Sequence, residues 1–322
     1  MSTTTRYRIR PAFQQGLTLI EMMVAMVISL VVSAVAATVF VSARQSARYA
    51  EGLSRYQETL RFAQAAIAED LRTAGQLGCR TDFTTATGLT EHDGVTYSQA
   101  VDGKDAWDIS STTLGNIGKT DAKAGSDAIR LQFASRDANS LSSTMAAAGD
   151  AINVTNAASY GVDEALIVSN CTHADTFKPS AAVANATSIT HVPLSYKYEK
   201  SIAEVYRFLD RAYYIDSGNQ LVQVTGTTKS VIAAGIEELT FDYGVDVDAD
   251  QYPDRYVTAT DVGAAWANVV AVRVCLLVRS QDQGLTIGDG YTDCAGAAKT
   301  ATDHRLRFPV NFTVRIRNRG VL

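Results

Sequence analysis

The most strongly apolar stretch lies close to the beginning of the given sequence. Between Leu17 and Val41 the only charged residue is Glu21. As an α-helix rising ~1.5 Å per residue, this stretch measures about 37 Å and exceeds the ~30 Å hydrocarbon core of a bilayer. The pattern therefore predicts a transmembrane helix over residues 17–41, with one carboxylate inside it.

Apolar positions continue beyond this stretch, but with a helical spacing that leaves the intervening positions polar. One stripe recurs at steps of three and four residues between Ser42 and Ala74: Leu53, Tyr56, Leu60, Ala63, Ile67, Leu71 and Ala74. Gly75 and Gly78 follow the stripe and are typical of a helix end. Residues 42–75 are thus predicted to continue the membrane helix as an amphipathic segment.

The remainder, residues 76–322, is predicted to form a β-rich globular domain. Alternating or β-branched runs separated by turn residues indicate its strands: 126–134, 164–177, a hairpin of 203–216 with 220–224, 235–245, 268–280 and 305–318. Residues 136–161 are small and polar, and we expect a long connection there. Pro309 in the last strand favours a sheet edge or a bulge.

The apolar stripe of the helix needs a sheet to cover it. The predicted fold class is therefore α+β, in which a long N-terminal helix packs through its amphipathic half on an antiparallel sheet.

The distribution of charge predicts how the membrane helix is oriented across the bilayer. Arg6, Arg8 and Arg10 precede the apolar stretch, which favours a cytoplasmic N-terminus and a domain on the far side of the membrane. The net charge is −5, and an acidic chain without a basic block argues against nucleic-acid binding.

The chain has four cysteines, Cys79, Cys171, Cys275 and Cys294, and none of them forms a C-x-x-C pair. In an exported domain two structural disulfides are expected, and four buried free thiols are the alternative. A Cys275–Cys294 bridge closes a short hairpin loop, which leaves Cys79 at the helix end to pair with Cys171.

Two features carry candidate chemistry. The acidic stretch "DVDADQYPDRY" has the spacing of a calcium loop, with four carboxylates and one carbonyl as ligands: Asp246, Asp248, Asp250, Asp254 and the Tyr252 carbonyl. Gln251 and Val257 stand where such loops carry glycine and a bidentate glutamate, so a solvated acidic loop is the alternative. The last strand carries a basic stripe that we interpret as a solvated face rather than a docking face: Arg305, Arg307, Arg315, Arg317 and Arg319.

No catalytic set stands out in the sequence. His92, His173, His191 and His304 are scattered, and neither a G-x-S-x-G elbow nor a phosphate-binding loop is present. We therefore expect a protein that is not an enzyme and requires no cofactor.

The segment "GLTLIE" after a short basic leader resembles the class III signal of type IV pilins and pseudopilins. The resemblance implies a leader peptide over residues 1–16, cleavage by a membrane peptidase between Gly16 and Leu17, and N-methylation of Leu17. Glu21 matches the glutamate that this family uses in subunit docking. The chain departs from the family at Leu17, where phenylalanine is commonest, and at Thr38, where major pilins often have a kinking proline.

Segments near the C-terminus resemble the PilW type of minor pilin: "ALIVSNCTHADTF", "RAYYIDSGNQL", "GIEELTFDYGVDVDAD", "NVVAVRVCLLVRS" and "FTVRIRNRG". This resemblance implies a structural subunit at or near the pilus tip that helps to prime assembly. It also implies an inner-membrane protein that passes into the fibre. The implied partners are other minor pilins, the major pilin, the prepilin peptidase, the assembly platform and a tip adhesin.

Two alternatives remain open from the sequence. A type II secretion pseudopilin shares the same N-terminal signal, so this segment does not separate the two assemblies. A membrane-tethered enzyme or a calcium-regulated adhesin belongs to another functional class.

Overall fold

The structure is a computed structural model that describes residues 18–79, 88–106, 114, 121–286 and 288–318. The chain divides into a first unit, Met1–Glu51, and a second unit, Gly52–Leu322. Helix α1 (Leu19–Thr73) contributes residues to both units. Residues Gly16 and Leu17, the predicted cleavage site, lie outside the described residues.

In the first unit, every helical residue from Leu19 to Glu51 is exposed, although most of the side chains up to Val41 are apolar. Among the described residues, α1 is the one helix with a stretch long and apolar enough to cross a membrane. Apolar side chains around the whole circumference of a helix suit a lipid environment rather than a soluble surface. The sequence prediction of a membrane-spanning helix is supported on these grounds.

In the second unit, the last five turns of α1 bury the predicted stripe. Ala63, Ile67 and Leu71 are completely buried, and Tyr56 is nearly so. The helix then ends before Gly75, which adopts a left-handed φ of 80° that glycine accepts without steric cost. The predicted amphipathic segment is therefore present, with its apolar side in the core.

Seventeen strands occur among the described residues. The first eight are β1 (Leu89–Glu91), β2 (Val101–Lys104), β3 (Ala128–Ala134), β4 (Asn139–Ser140), β5 (Ile152–Tyr160), β6 (Leu166–Ser169), β7 (Ala174–Phe177) and β8 (Val183–Ile189). The next five are β9 (Glu204–Ile215), β10 (Gln220–Thr225), β11 (Thr228–Ala234), β12 (Ile236–Val245) and β13 (Arg255–Val257). Helix α2 (Ala259–Val262) and a 3₁₀ turn (Ala265–Asn268) precede β14 (Val269–Arg279), β15 (Gly290–Thr292), β16 (Ala298–Thr300) and β17 (Arg307–Arg315).

Two large sheets share the main core. The larger runs in the order β1-β7-β6-β9-β10-β11, with β2, β3 and β4 attached through β9. The smaller is antiparallel and runs in the order β13-β12-β14-β17. Side chains from α1, β3, β9, β12 and β14 meet in one buried cluster. This arrangement of one long helix on antiparallel-rich sheets confirms the α+β fold class.

The late strands follow the sequence prediction closely. In β14, Val272, Val274, Leu276 and Val278 face the main core together. Strand β17 pairs with β14 along its whole length and forms the edge of its sheet. Pro309 has no backbone N–H, so the free edge has one hydrogen-bond donor fewer.

Two sequence predictions need correction in the middle of the chain. Residues 164–177 form two antiparallel strands, β6 and β7, rather than one strand. The Asn170 Oδ1 atom accepts hydrogen bonds from the backbone N–H groups of Thr172 and His173, and this side-chain turn reverses the chain. The predicted connection over residues 136–161 contains β4 and the nine-residue β5.

Strand β5 pairs with β8 as a two-stranded ribbon, and the ribbon shares a second buried core with strands β6, β7 and β9 of the larger sheet. Ile152, Val154 and Tyr160 of β5 are buried in this second core, whereas the residues between Val154 and Tyr160 are mostly exposed. The exposed residues are Thr, Asn, Ala and Ser, so the apolar alternation extends over too few positions to be recognised in the sequence.

Candidate functional site

The predicted docking residue Glu21 closes the first turn of α1 together with Thr18. The backbone N–H and the hydroxyl of Thr18 donate to Glu21 Oε2 over 2.9 and 3.0 Å. The Glu21 N–H is directed back at the Thr18 hydroxyl over 3.3 Å. This is a capping box, in which the N-cap and the third helical residue satisfy each other's backbone donors. Glu21 thus has a structural role within its own helix that the sequence analysis did not predict.

Polar side chains elsewhere in the apolar stretch are satisfied within the helix. The hydroxyls of Ser29, Ser33 and Thr38 donate to backbone carbonyls three or four residues earlier, over 2.7 to 2.8 Å. Such internal bonds allow hydroxyl residues to lie in an apolar environment. Glu21 is the one charged residue of this stretch. Thr18 donates to only one of its two carboxylate oxygens, Oε2.

In the second unit, a buried carboxylate joins α1 to the larger sheet. Asp70 is only 5% exposed, and both of its oxygens accept from Arg211 Nη1, over 2.8 and 3.0 Å. The Tyr213 hydroxyl also donates to Asp70 Oδ2, over 2.6 Å. Burial, reinforced by the Asp70 charge, raises the pKa of Tyr213 well above its usual value. The phenol therefore stays protonated and donating.

Two disulfides connect the elements around the core. Cys79, just after the helix, is bonded to Cys171 in the β6–β7 turn, with Cα atoms 5.3 Å apart. Cys275 of β14 is bonded to Cys294 between β15 and β16, with Cα atoms 5.8 Å apart. These are the pairings that the sequence analysis considered, and no described cysteine is free. Oxidised cysteines suit an exported domain.

The predicted calcium loop follows β12. Carboxylate oxygens of Asp246, Asp248 and Asp254 lie within 4.8 Å of one another, whereas Asp250 is not part of this group. Asp246 already accepts from two backbone N–H groups, those of Ala249 and Gln251, each over 2.8 Å. The residues thus fit a calcium ion only in part, and calcium binding stays a prediction.

One serine, one histidine and one aspartate meet in the larger sheet, although the sequence placed them far apart. His92 Nε2 lies 2.9 Å from Asp175 Oδ1 and 3.4 Å from the Ser195 hydroxyl. A nucleophilic relay uses the two opposite nitrogens of the imidazole, but here one nitrogen faces both partners. Asp175 also accepts from the Tyr198 hydroxyl over 2.6 Å, so the group is a hydrogen-bond network in which Asp175 and Tyr198 are buried and Ser195 is exposed.

Two family models match this chain. Residues 201–318 match the model described as type IV pilus-assembly protein W, PilW, and residues 12–37 match the prokaryotic N-terminal methylation motif. The two matches support a type IV pilin of the PilW type. No curated protein and no solved structure matches it.

The two matched segments correspond to particular elements of the fold. The methylation motif covers the capping box and the beginning of the apolar helix. The PilW match covers β9 to β17, which include the Asp70 partners Arg211 and Tyr213 and the whole four-stranded sheet. The β5–β8 ribbon lies outside both matches.

The matched C-terminal region corrects the interpretation of the basic stripe. The Arg307 side chain is only 6% exposed, and its guanidinium forms bidentate bonds with both Glu237 and Asp303 over 2.6 to 3.0 Å. Arg305 donates to the backbone carbonyls of Ser280 and Gln281. The stripe is therefore not a uniformly solvated face, because its first two arginines hold the β14–β17 connection together. Arg319 lies outside the described residues.

The Glu237 carboxyl shows the electrostatic effect of this network. Burial opposes its ionisation, but the hydrogen bonds and the charges of Arg307 and Arg279 outweigh burial and lower the pKa of Glu237. Both guanidinium groups therefore face an ionised partner at neutral pH. The sequence showed the arginines but not Glu237, which lies 70 residues away from Arg307.

Proposed function

We propose that this PilW-type pilin is a minor pilin, a structural subunit at or near the tip of a type IV pilus that helps to prime fibre assembly. The observation that carries the proposal is the exposed apolar helix with Glu21 in its first turn, together with the PilW match. Such a helix buries its apolar surface first in the membrane and then among the helices of neighbouring subunits.

The proposed maturation begins with cleavage between Gly16 and Leu17 and methylation of the new amine. The positive amine then lies four residues before the Glu21 carboxylate. Both Thr18 bonds fall on Glu21 Oε2, so within the described part of the chain Oε1 is available to a neighbouring subunit. An amine and a carboxylate attract strongly in an apolar bundle, and an unpaired carboxylate there is penalised. Glu21 would thereby set the axial register of the subunit.

The partners follow from this pathway. The prepilin peptidase processes the chain, and the inner-membrane assembly platform receives it with a cytoplasmic N-terminus. In the fibre, other minor pilins and the major pilin surround the helix, and a tip adhesin is a further partner. The membrane segment is a single span, and the domain would lie in the periplasm before assembly.

Substitutions at Glu21 and Thr18 separate capping from docking. Glu21→Gln keeps an acceptor for the Thr18 donors, because glutamine also completes a capping box, but it removes the charge. Glu21→Ala removes both functions, and Thr18→Val removes the capping hydroxyl while retaining the Glu21 charge. The readout is the amount of each variant in sheared fibres relative to the membrane fraction.

The docking role predicts that Glu21→Gln and Glu21→Ala are both cleaved but fail to enter fibres, whereas Thr18→Val enters them. Normal incorporation of Glu21→Gln, with loss of Thr18→Val, would instead assign Glu21 to helix capping alone. Co-purification decides between the two assemblies. Recovery with secretion-gate components only, and never with pilus components, would favour a type II secretion pseudopilin.

A further inference from the structure

The larger sheet ends at a long, open edge. Strand β11 has seven residues, and within the described part of the chain it pairs with β10 alone. Thr225 and Thr228 close the two-residue hairpin between these strands. The closing pair forms backbone hydrogen bonds between the two strands, and in an antiparallel pair the direction of these bonds alternates from one residue to the next. The backbone N–H and C=O groups of Lys229 and Val231 therefore point away from β10. These groups provide a template for one more strand.

The other edges of the two large sheets carry devices that discourage pairing. Strand β17, also long, has Pro309 and is flanked by Arg307 and Arg315. The edge strands β1, β2 and β13 have only three or four residues. Short strands, prolines and charged residues are the usual means of protecting a sheet edge.

Strand β11 is less protected: it has an irregularity in its pairing opposite Leu221 and Val222, but it has no proline and only one charged residue. Its one charged residue is Lys229, whose ammonium forms an ion pair with Asp121 and lies 3.9 Å from an Asp216 oxygen. The remaining residues from Ser230 to Ala234 are uncharged, and the Val231 side chain is 52% exposed. An edge with these properties favours the addition of an extended, uncharged segment.

A groove lies beside this edge. It has a volume of about 720 Å³, and residues of α1 form one side while Ile232, Ala233 and Ala234 of β11 form the other. Phe62 of α1 lines the groove and is 61% exposed. Apolar side chains that alternate along an added strand can therefore enter a pocket next to the backbone pairing.

The groove also has charges that complement an occupant. Glu58 and Arg61 line it one helical turn apart, and neither forms an ion pair within the described residues. A strand that fits this site is uncharged where it pairs with Ser230–Ala234. It carries a positive charge near Glu58 and a negative charge near Arg61. Opposite charges near a rim favour the correct partner and register.

We propose that β11 accepts a β-strand from the globular domain of a neighbouring, non-identical pilin subunit. This proposal rests on the proposed function, because the fibre supplies the neighbour. Backbone hydrogen bonds to Lys229 and Val231 hold the added strand, and the groove beside Phe62 selects its side chains. The β11 edge thereby becomes a lateral contact between domains, separate from the bundle of N-terminal helices.

Site-specific photo-crosslinking of the full-length chain in piliated cells tests this contact. A benzophenone amino acid replaces Ser230 in one strain and Ile202 in the control strain, since Ile202 is 55% exposed and lies outside β11. Cross-strand side chains lie about 5 Å apart, so a paired strand falls within reach of position 230. Mass spectrometry of the adduct identifies the partner peptide.

We expect position 230 to form an adduct at least tenfold more abundant than that from position 202. The adduct should contain a strand segment of a protein that has its own methylation-type N-terminus. Val231→Pro removes an outward N–H and should lower the adduct at least tenfold, whereas Val231→Thr should preserve it. Val231→Lys places a charge on the edge and should also lower the yield of the adduct. This variant replaces Val231→Pro if the proline variant loses either disulfide and is therefore misfolded.

Three results would overturn the inference: equal adducts from positions 230 and 202, adducts to a second copy of this chain, or adducts unaffected by Val231→Lys. Fibre incorporation is scored in the same cells. A chain that enters fibres without a β11 adduct refutes the edge contact and leaves the proposed function intact, whereas a chain absent from fibres refutes the proposed function.

Discussion

Arg211 on β9 and Asp70 on α1 form the ion pair that joins the helix to the sheet, in which Asp70 is buried and the Arg211 side chain is 26% exposed, with Nη1–Oδ distances of 2.8 and 3.0 Å. The two residues are 141 positions apart in the chain. Tyr213 satisfies the same carboxylate, so the pair belongs to a hydrogen-bonded network. Removing Asp70 leaves the Arg211 guanidinium, mostly shielded from water, without its counter-charge and the Tyr213 hydroxyl without its acceptor.

Asp70→Ala is therefore expected to lower the free energy of unfolding by about 3–5 kcal/mol. The neighbouring Glu69 provides a matched control, because its ion pair with Arg136 is more than half exposed. Glu69→Ala should cost no more than about 1 kcal/mol. Urea unfolding of the detergent-solubilised chain measures both, and equal effects would show that the Asp70 network does not anchor the helix.

The two disulfides should differ in their effect on stability. They close loops with sequence separations of 92 and 19 residues. The chain-entropy model assigns about 4.5 kcal/mol to the longer loop and about 3 kcal/mol to the shorter. The paired variant Cys79→Ser with Cys171→Ser should therefore unfold at lower urea than Cys275→Ser with Cys294→Ser. The reverse order would mean that the constraint on the unfolded chain is not the dominant effect.

Asp127 predicts a pH dependence of stability. Burial raises the pKa of Asp127 to about 6, although its carboxylate accepts from the backbone N–H groups of Ala106 and Phe241. The folded-state pKa lies above the unfolded value of 3.8, so the folded chain holds a proton that the unfolded chain has lost. The contribution of this group is therefore full below about pH 4 and is lost as the pH rises through about 6.

The size of this contribution is about 3 kcal/mol, from roughly two pKa units at 1.36 kcal/mol each. Asp127→Asn cannot ionise and should flatten the stability profile between pH 4 and pH 6.5. Thermal unfolding across this range measures the difference. Parallel profiles for the variant and the wild-type chain would contradict the assignment to Asp127.

Calcium binding by the acidic loop predicts a specific stabilisation. Extracellular calcium modules bind with Kd of about 10⁻⁴–10⁻³ M. At about 10 mM calcium and a Kd of about 1 mM, linkage gives about 1.4 kcal/mol of added stability. Asp248→Ala should abolish the thermal shift, and magnesium should not reproduce it. The absence of any shift would leave the Asp246–Asp254 segment as a loop held by its own backbone hydrogen bonds.

The sequence predicted those elements whose apolar pattern is long and regular. The stripe from Leu53 to Ala74 has a single helical period, and residues 269–278 form an almost continuous apolar run rich in valine, so both are evident from the sequence alone. Strand β5 escaped prediction because Asn, Thr, Ala and Ser occupy its exposed positions. Strand β11 has only one short apolar run after Val231, which does not distinguish a strand from a connection.

The candidate site divides in the same way. Glu21 could be predicted because the residues that define its role, Gly16 and Leu17, lie within five positions of it in the chain. Its capping partner Thr18 is equally close in the chain. Asp70, Asp175 and Glu237 were not found, because their partners come from distant strands and no local spacing reports such pairs. Asp70 had one local signal, since a charged residue between the buried positions Ile67 and Leu71 requires a partner.

The mature N-terminus of the chain tests the central claim most directly. The full-length protein is recovered from the membrane and fibre fractions, and its N-terminal peptide is sequenced by mass spectrometry. The account predicts a chain that begins with N-methylated Leu17 and retains Glu21 as the fifth residue. A chain recovered from both fractions with the Gly16–Leu17 bond intact would contradict it.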